Sequence, residues 1–152
     1  MFTTREAESK DYEFLYDLKK AAEFEPVDQV FGWDDVVQCE IHRQEWDEAK
    51  PMVIEIDGAP VGSYLVECKE DHLYFSRFFI LPEHQGNGIG SEILEQVVDL
   101  AEQKGLPVKL RYLQGNRVGQ LYMKFGFRVT HQSSQFLNMT KPYRSEREVS
   151  AV

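Results

Sequence analysis

The chain has 152 residues, enough for one domain of ordinary size with a real hydrophobic core. Hydrophobic residues make up 42% and charged residues 28%, a globular composition rather than a disordered, fibrous or membrane one. Seventeen basic against 26 acidic side chains leave a net charge of −9, which repels polyanions and removes nucleic acid from the expected partners. A negative field favours cationic small molecules, although acidity also serves solubility alone. The longest apolar run, Phe78 to Leu81, falls far short of the roughly 20 residues a membrane helix requires. The opening MFTTREAESKD is neither apolar nor Arg-rich, so no targeting peptide is read there and a cytoplasmic location is expected. Cys39 and Cys68 are too few for a disulfide framework and read as reduced, structural thiols. His42, His72, His84 and His131 show no ligand spacing with them, so no metal is expected.

In chain order, residues 11–24 place Phe14, Leu15, Leu18, Ala21 and Ala22 on one stripe, a helix with Asp11 available as its N-cap and Pro26 just past its end. A second helix is predicted over 34–49, opened by Asp34 or Asp35, with Val37, Ile41 and less regularly Trp46 on one side. The connection between them, EPVDQVFGW, is unusually aromatic. From Pro51 the period changes to that of strands, two of them around Asp57-Gly58, a strong hairpin signal. A third strand, aromatic and alternating, covers 72–81 and ends at Pro82. Ile89, Ile93, Leu94, Val97, Val98 and Ala101 recur with helical period, and Gly105 closes that helix. A strand over 106–113, a short helix over 116–126 and one extended segment over 127–141 complete the domain. The order is strand, two helices, three antiparallel strands, helix, strand, helix, strand: α/β or α+β, a mixed and mostly antiparallel central sheet flanked by helices. Residues 1–141 form the predicted domain and 142–152 a polar tail that frays or packs against a neighbour.

The most informative stretch is HQGNGIGSEIL, residues 84–94. Gly86, Gly88 and Gly90 remove three Cβ atoms from a turn that leaves a strand and enters a helix. The first N–H groups of that helix lack intrahelical acceptors and sit at the positive end of its dipole, so the natural guest is a phosphate or pyrophosphate. A P-loop is excluded because no lysine follows the glycines. A dinucleotide fingerprint fits poorly: Ser91 stands at the third glycine, and no acid ends the next strand. Arg111 alone keeps an NADP reading open.

Gln85-Gly86-Asn87-Gly88-Ile89-Gly90, preceded by FFILPEH, closely resembles motif A of the GCN5-related N-acetyltransferases, [RQ]-x-x-G-x-[GA]. A second family segment follows in NRVGQLYMKFGF, where Asn116, Tyr122 and Gly126-Phe127 resemble N-x-x-A-x-x-[LF]-Y-x-x-x-G-F with one residue fewer between Asn116 and Tyr122, and Gly119 stands for the usual alanine. The resemblance covers roughly residues 1–140. It implies a single-domain fold of that family and an enzyme moving an acetyl group from acetyl-CoA to a primary amine of a small molecule or peptide. The amides of Gln85 through Ser91 would grip the pyrophosphate of coenzyme A. Ile80 and Leu81 would offer backbone to the pantetheine arm, with a main-chain N–H near Ile80 as the oxyanion donor. Tyr122 would protonate the departing thiolate or serve packing alone, and Asn116 would bond the cofactor arm or cap a helix. No base is named; the candidates are Glu40, Glu45, Glu67, Ser76 and Arg77, with Glu83 and His84 read as surface residues. The family usually draws acceptor specificity from the link between the first two helices. Phe31 and Trp33 there would line the acceptor or staple the helices, and Asp34 or Asp35 would receive a cation. The resemblance also raises a homodimer. Rival readings are a non-catalytic acyl-CoA-binding module, transfer of a longer acyl group such as succinyl, and the NADP enzyme.

Overall fold

Asp57 and Gly58 both take positive φ, 51° and 80°, and so close the predicted hairpin as a type I′ turn between β2 (Met52–Ile56) and β3 (Ala59–Cys68). The computed structural model describes residues 1–143. The tail expected from residue 142 therefore lies outside the described residues from 144 on. The remaining strands are β1 (Thr3–Glu6), β4 (Leu73–Ile80), β5 (Val108–Leu113), β6 (Arg128–Gln132) and β7 (Phe136–Lys141). They form one seven-stranded sheet in the order β1-β2-β3-β4-β5-β7-β6. Pairing is antiparallel in β1–β2, β2–β3, β5–β7 and β6–β7. It is parallel between β4 and β5, where the ladder consists of two residue pairs, Leu73 with Val108 and Tyr74 with Lys109. The α/β class and the mostly antiparallel sheet are as expected.

Four helices accompany the strands: α1 (Tyr12–Phe31), α2 (Asp35–Glu48), α3 (Ile89–Lys104) and α4 (Gly119–Lys124). Helix α1 corrects the sequence reading. It runs straight through Pro26 for five more residues. Proline costs one intrahelical hydrogen bond, but Val27 just beyond it is buried, so packing sustains the helix. The true stop is Gly32, with φ 79° and its N–H on the Asp28 carbonyl at 3.0 Å. Asp11 does not cap α1. It lies buried and receives both the Arg5 guanidinium, at 2.7 and 2.9 Å, and the Glu8 amide, at 2.7 Å.

Helix α2 starts where predicted, since Asp34 accepts the N–H groups of Val36 and Val37. Its inward face differs, however. Val36 and Val37 are exposed, and the buried residue is Gln38. The helix docks on α1 through positions spaced by four. His42 bonds the Tyr12 carbonyl at 2.8 Å, and Trp46 meets the Tyr12 ring edge-on at 5.4 Å. Of the expected stripe Trp46 does face α1 while Val37 is exposed, and a face made of glutamine, histidine and tryptophan carries little hydropathy signal.

The chain divides into two compact units, Met1–Leu65 with Arg77–Asn87, and Val66–Ser76 with the residues from Gly88 onward. In the first, Ala7, Leu15, Leu18 and Val53 form a buried cluster, with Phe14, Trp46, Phe79 and Leu81 packed against it. In the second, α3 buries Ile89, Ile93, Leu94, Val97 and Ala101, as its period predicts. The extended segment expected over 127–141 is instead a hairpin. The Ser133 hydroxyl accepts the amides of Gln135 and Phe136 and turns β6 into β7. Both cysteines are free, but they are exposed rather than structural.

Candidate active site

After β4, a single 3-10 turn over Pro82–His84 leads into the glycine loop. Gly86 has φ 81° and Gly88 φ 83°, backbone that side-chain-bearing residues rarely adopt. A Cβ built on either meets no heavy atom within 4 Å, so conformation rather than crowding demands glycine, and the space beside both is open. The Gly88 carbonyl accepts the Glu92 amide at 3.1 Å as the first intrahelical bond of α3. The amides of Ile89, Gly90 and Ser91 therefore precede the first intrahelical donor and face the positive end of a 16-residue helix. This arrangement suits an anion. The Gln85 side chain points back and donates to the Ile80 carbonyl at 2.9 Å, which ties the loop to the end of β4. The Leu81 backbone is already committed, its N–H to Val61 and its carbonyl to the His84 amide, each at 2.9 Å. Of the two residues assigned to the cofactor arm, Leu81 thus has no amide to offer.

In the second unit, Tyr122 is buried among aromatic rings, with centroids 6.5 Å from Phe75, 5.7 Å from Tyr112 and 5.8 Å from Phe127. Asn116 accepts the Val118 amide on Oδ1 at 3.1 Å, so its carbonyl shapes the entry to α4. Its Nδ2 has no partner among the described residues. Gly119, the departure from the family pattern, has a steric cause. A Cβ there would lie 3.1 Å from Cζ of Tyr112 and closer still to the hydroxyl.

Each acid considered as a base has a cationic partner: Glu40 pairs with Arg43, Glu67 with Lys69 at 3.4 Å, and Glu45 with Arg77 at 3.4 Å. Arg77 also donates to the carbonyls of Glu45 and Ala49, at 2.9 and 2.7 Å, and Ser63 donates its hydroxyl to the Arg77 carbonyl at 2.9 Å. Its φ of 51° within β4 marks a local break in the strand that nothing in the sequence signals. The helix link is internally occupied as well. Asp34 caps α2, while one oxygen of Asp35 accepts Tyr16, Lys20 and the Trp33 indole at 2.7 to 2.9 Å. These donors, Trp33 first, hold the Asp35 carboxyl well below the usual carboxylate range. Trp33 also stacks near Phe24 and Tyr16, with centroids 5.3 and 6.4 Å away, the stapling role. Phe31 is exposed.

One residue lies outside the candidate site residues of the sequence. His42 borders two cavities of the first unit. A small one, about 30 Å³, is shared with Glu45, Trp46, Ser63, Arg77 and Phe79; a wider one, about 250 Å³, is shared with Tyr12, Glu13, Tyr16, Asp17 and Cys39. In the sequence the histidines show only an absence of metal-ligand spacing. The signal available was the i, i+4 relation of His42 to both Gln38 and Trp46. Among the described residues, no group of three or more His, Cys, Asp or Glu could hold a metal ion, and no helix is long and apolar enough to cross a membrane.

Residues 47–129, more than half of the chain, match the family model described as an acetyltransferase (GNAT) domain. The chain belongs to the GNAT family. The matched stretch of this GNAT protein contains β4, the glycine loop, α3, β5 and α4. An uncharacterised N-acetyltransferase of Methanocaldococcus jannaschii is 24% identical over 104 residues, covering 62% of this chain; the chain spans about half that relative, 46%. The PaiA N-acetyltransferase of Thermoplasma acidophilum, solved in complex with coenzyme A, superposes with a TM-score of 0.71 at 16% identity, covering 94% of this chain and 99% of that one. The ribosomal-protein-S18-alanine N-acetyltransferase of Escherichia coli gives 0.68 at 17% identity, covering 93% and 94%. At such identities the likeness is one of fold.

Proposed function

We propose that the chain transfers an acetyl group from acetyl-CoA to a primary amine of a small molecule or peptide, by direct attack in a ternary complex. The observation that carries the reading is the loop itself: two glycines at positive φ, open on one side, deliver the chain into the dipole-positive end of α3. The amides from Gly86 to Ser91 take the pyrophosphate of coenzyme A, the Gln85 amide being bonded to the Pro82 carbonyl at 3.2 Å. Ile80 supplies the main-chain contact to the acyl arm and the oxyanion N–H, since the Leu81 amide is bonded to Val61. Tyr122 gives a proton to the departing thiolate, and Asn116 offers Nδ2 to the arm while its Oδ1 holds the turn into α4. The Thermoplasma acidophilum PaiA N-acetyltransferase, which shares the fold, was solved with coenzyme A bound, and this supports the choice of ligand.

Thermal unfolding with acetyl-CoA, succinyl-CoA, free CoA and NADPH in parallel tests this. At about 100 times its Kd a ligand stabilises the fold by roughly 2.7 kcal/mol, an upward shift of about 5 to 10 °C for a chain of this length. The expected result is a shift with acetyl-CoA and CoA and none with NADPH. Gly88→Val, which forces a β-branched residue to φ 83°, should abolish that shift. A response to NADPH alone, or an unchanged response in Gly88→Val, overturns the assignment of the loop. Thiol release on adding amines then separates an acetyltransferase from a module that only binds acyl-CoA.

A further inference from the structure

We propose that His42 is the proton acceptor for the incoming amine, working through water held in the small cavity beside β4. The inference rests on the acetyl-transfer reading above and adds to it the base that the acids fail to supply.

An amine reaches the protein as an ammonium ion with no lone pair to attack a thioester. One N–H bond must break first, leaving its electron pair on nitrogen. The proton passes to a cavity water, which gives one of its own to Nδ1 of His42 and so creates an imidazolium. The amine nitrogen then bonds to the thioester carbon, the C–S bond breaks and the thiolate takes the Tyr122 proton. The nitrogen loses its second proton, which through solvent restores Tyr122, and His42 returns its own proton to solvent. One proton is released per turnover.

Three observations place His42 in that role. Its Nε2 lies 2.8 Å from the Tyr12 carbonyl, which can only accept, so Nε2 carries the hydrogen and the neutral ring keeps its lone pair on Nδ1. Nδ1 has no hydrogen-bond partner among the described residues. The ring is held beside Tyr12 and Tyr16, with centroids 4.4 and 5.8 Å away, so its orientation is fixed before substrate arrives. The cavity it shares with Phe79, Arg77 and Ser63 has about 30 Å³, room for about two waters, and its largely apolar wall carries polar groups from Ser63, Glu45 and Arg77 that could hold them. It opens beside the segment of β4 that carries the broken strand geometry at Arg77.

The other titratable groups around the ring do not compete. On α1, Glu13 and Asp17 border the wider cavity and not the smaller one, Lys19 borders the smaller one, and the Tyr16 phenol is pushed up by burial and its bond to Asp35. On α2, Cys39 contacts Tyr16 and Glu45 is paired with Arg77; on β4, Arg77 itself is a permanent cation.

The test compares the purified protein with His42→Gln and His42→Ala, using acetyl-CoA and the fastest amine from a panel. Gln can still donate to the Tyr12 carbonyl but has no basic atom. Wild-type kcat/KM should rise with pH and level off below the amine's own pKa. His42→Gln should fall on the order of 10²-fold near neutrality, keep climbing towards the amine's own pKa and recover much of the lost rate there. Acetyl-CoA affinity by calorimetry should be the same in all three proteins. A His42→Gln profile that parallels wild type overturns the proposal, as does loss of acetyl-CoA binding in both variants, which makes His42 a packing residue. A wild-type protein that binds acetyl-CoA yet acetylates no amine fails differently: it sinks the transfer reading itself, and His42 as base with it.

Discussion

Gly119 shows how one residue's meaning depends on a neighbour that the sequence does not point to. In the chain alone it looks like a weakened helix start, where alanine would gain about 0.5 to 1 kcal/mol. In the structure it is the complement of Tyr112, whose phenol lies against it and whose ring stands 5.7 Å from Tyr122. Gly119→Ala should therefore lower stability, because overpacking costs about 1 to 3 kcal/mol and outweighs the propensity gain. In a Tyr112→Leu background the same change should be neutral or stabilising. Urea unfolding of the four proteins in the double-mutant cycle reads the difference, expected at about 1 to 2 kcal/mol. Additive effects would mean that Tyr112 and Gly119 do not share space. The motif exposed position 119, while its role needed the orientation of β5 against α4. His42 is the same lesson in another form: its identity was plain, but its locked tautomer depends on a carbonyl 30 residues away.

Elements were legible where one period governed them. Helix α3 followed its apolar stripe and ended at Gly105, and the Asp57-Gly58 turn specified its hairpin. Reading failed where a local rule met a stronger long-range one: packing of Val27 carried α1 through Pro26, and a serine side chain folded one predicted strand into two. Least visible was the anchoring of α2. At its C-terminal end Arg77 reaches from β4 to the Ala49 carbonyl and adds a second donor to the Glu45 carbonyl, which already accepts the Ala49 amide. Arg77 does so from a residue with φ 51°, so its side chain stabilises while its backbone strains. Arg77→Ala keeps the strain and loses the hydrogen bonds. It should destabilise by about 1.5 to 3 kcal/mol, an amount typical of a charged donor bonded to partly buried acceptors. Arg77→Gly loses the same bonds but relieves the left-handed backbone, and should be more stable than Arg77→Ala by about 1 kcal/mol. Thermal unfolding of the pair decides: an alanine variant at least as stable as the glycine variant would show that the backbone at 77 relaxes once the guanidinium is gone.

At the scale of the whole molecule, the charge of −9 acts on the two proposed substrates in opposite senses. Coenzyme A carries several negative charges and, at the proposed site, would meet a loop that, from Pro82 to Ser91, contains no lysine or arginine. Its grip would then be by amides and a helix dipole, which act within a few ångströms, while the long-range field is repulsive. The ammonium acceptor meets the same field as an attraction. Screening reaches about 30 Å at 0.01 M salt but only about 8 Å at 0.15 M, so raising salt across that range removes both effects. The association rate of acetyl-CoA, followed by stopped flow, should therefore rise a few-fold, while kcat/KM for a cationic amine at saturating acetyl-CoA falls by a similar factor. An uncharged amine analogue should show neither change. If acetyl-CoA association instead slows as salt is added, cations near the loop dominate the local field, and the phosphate grip cannot be one of backbone amides alone.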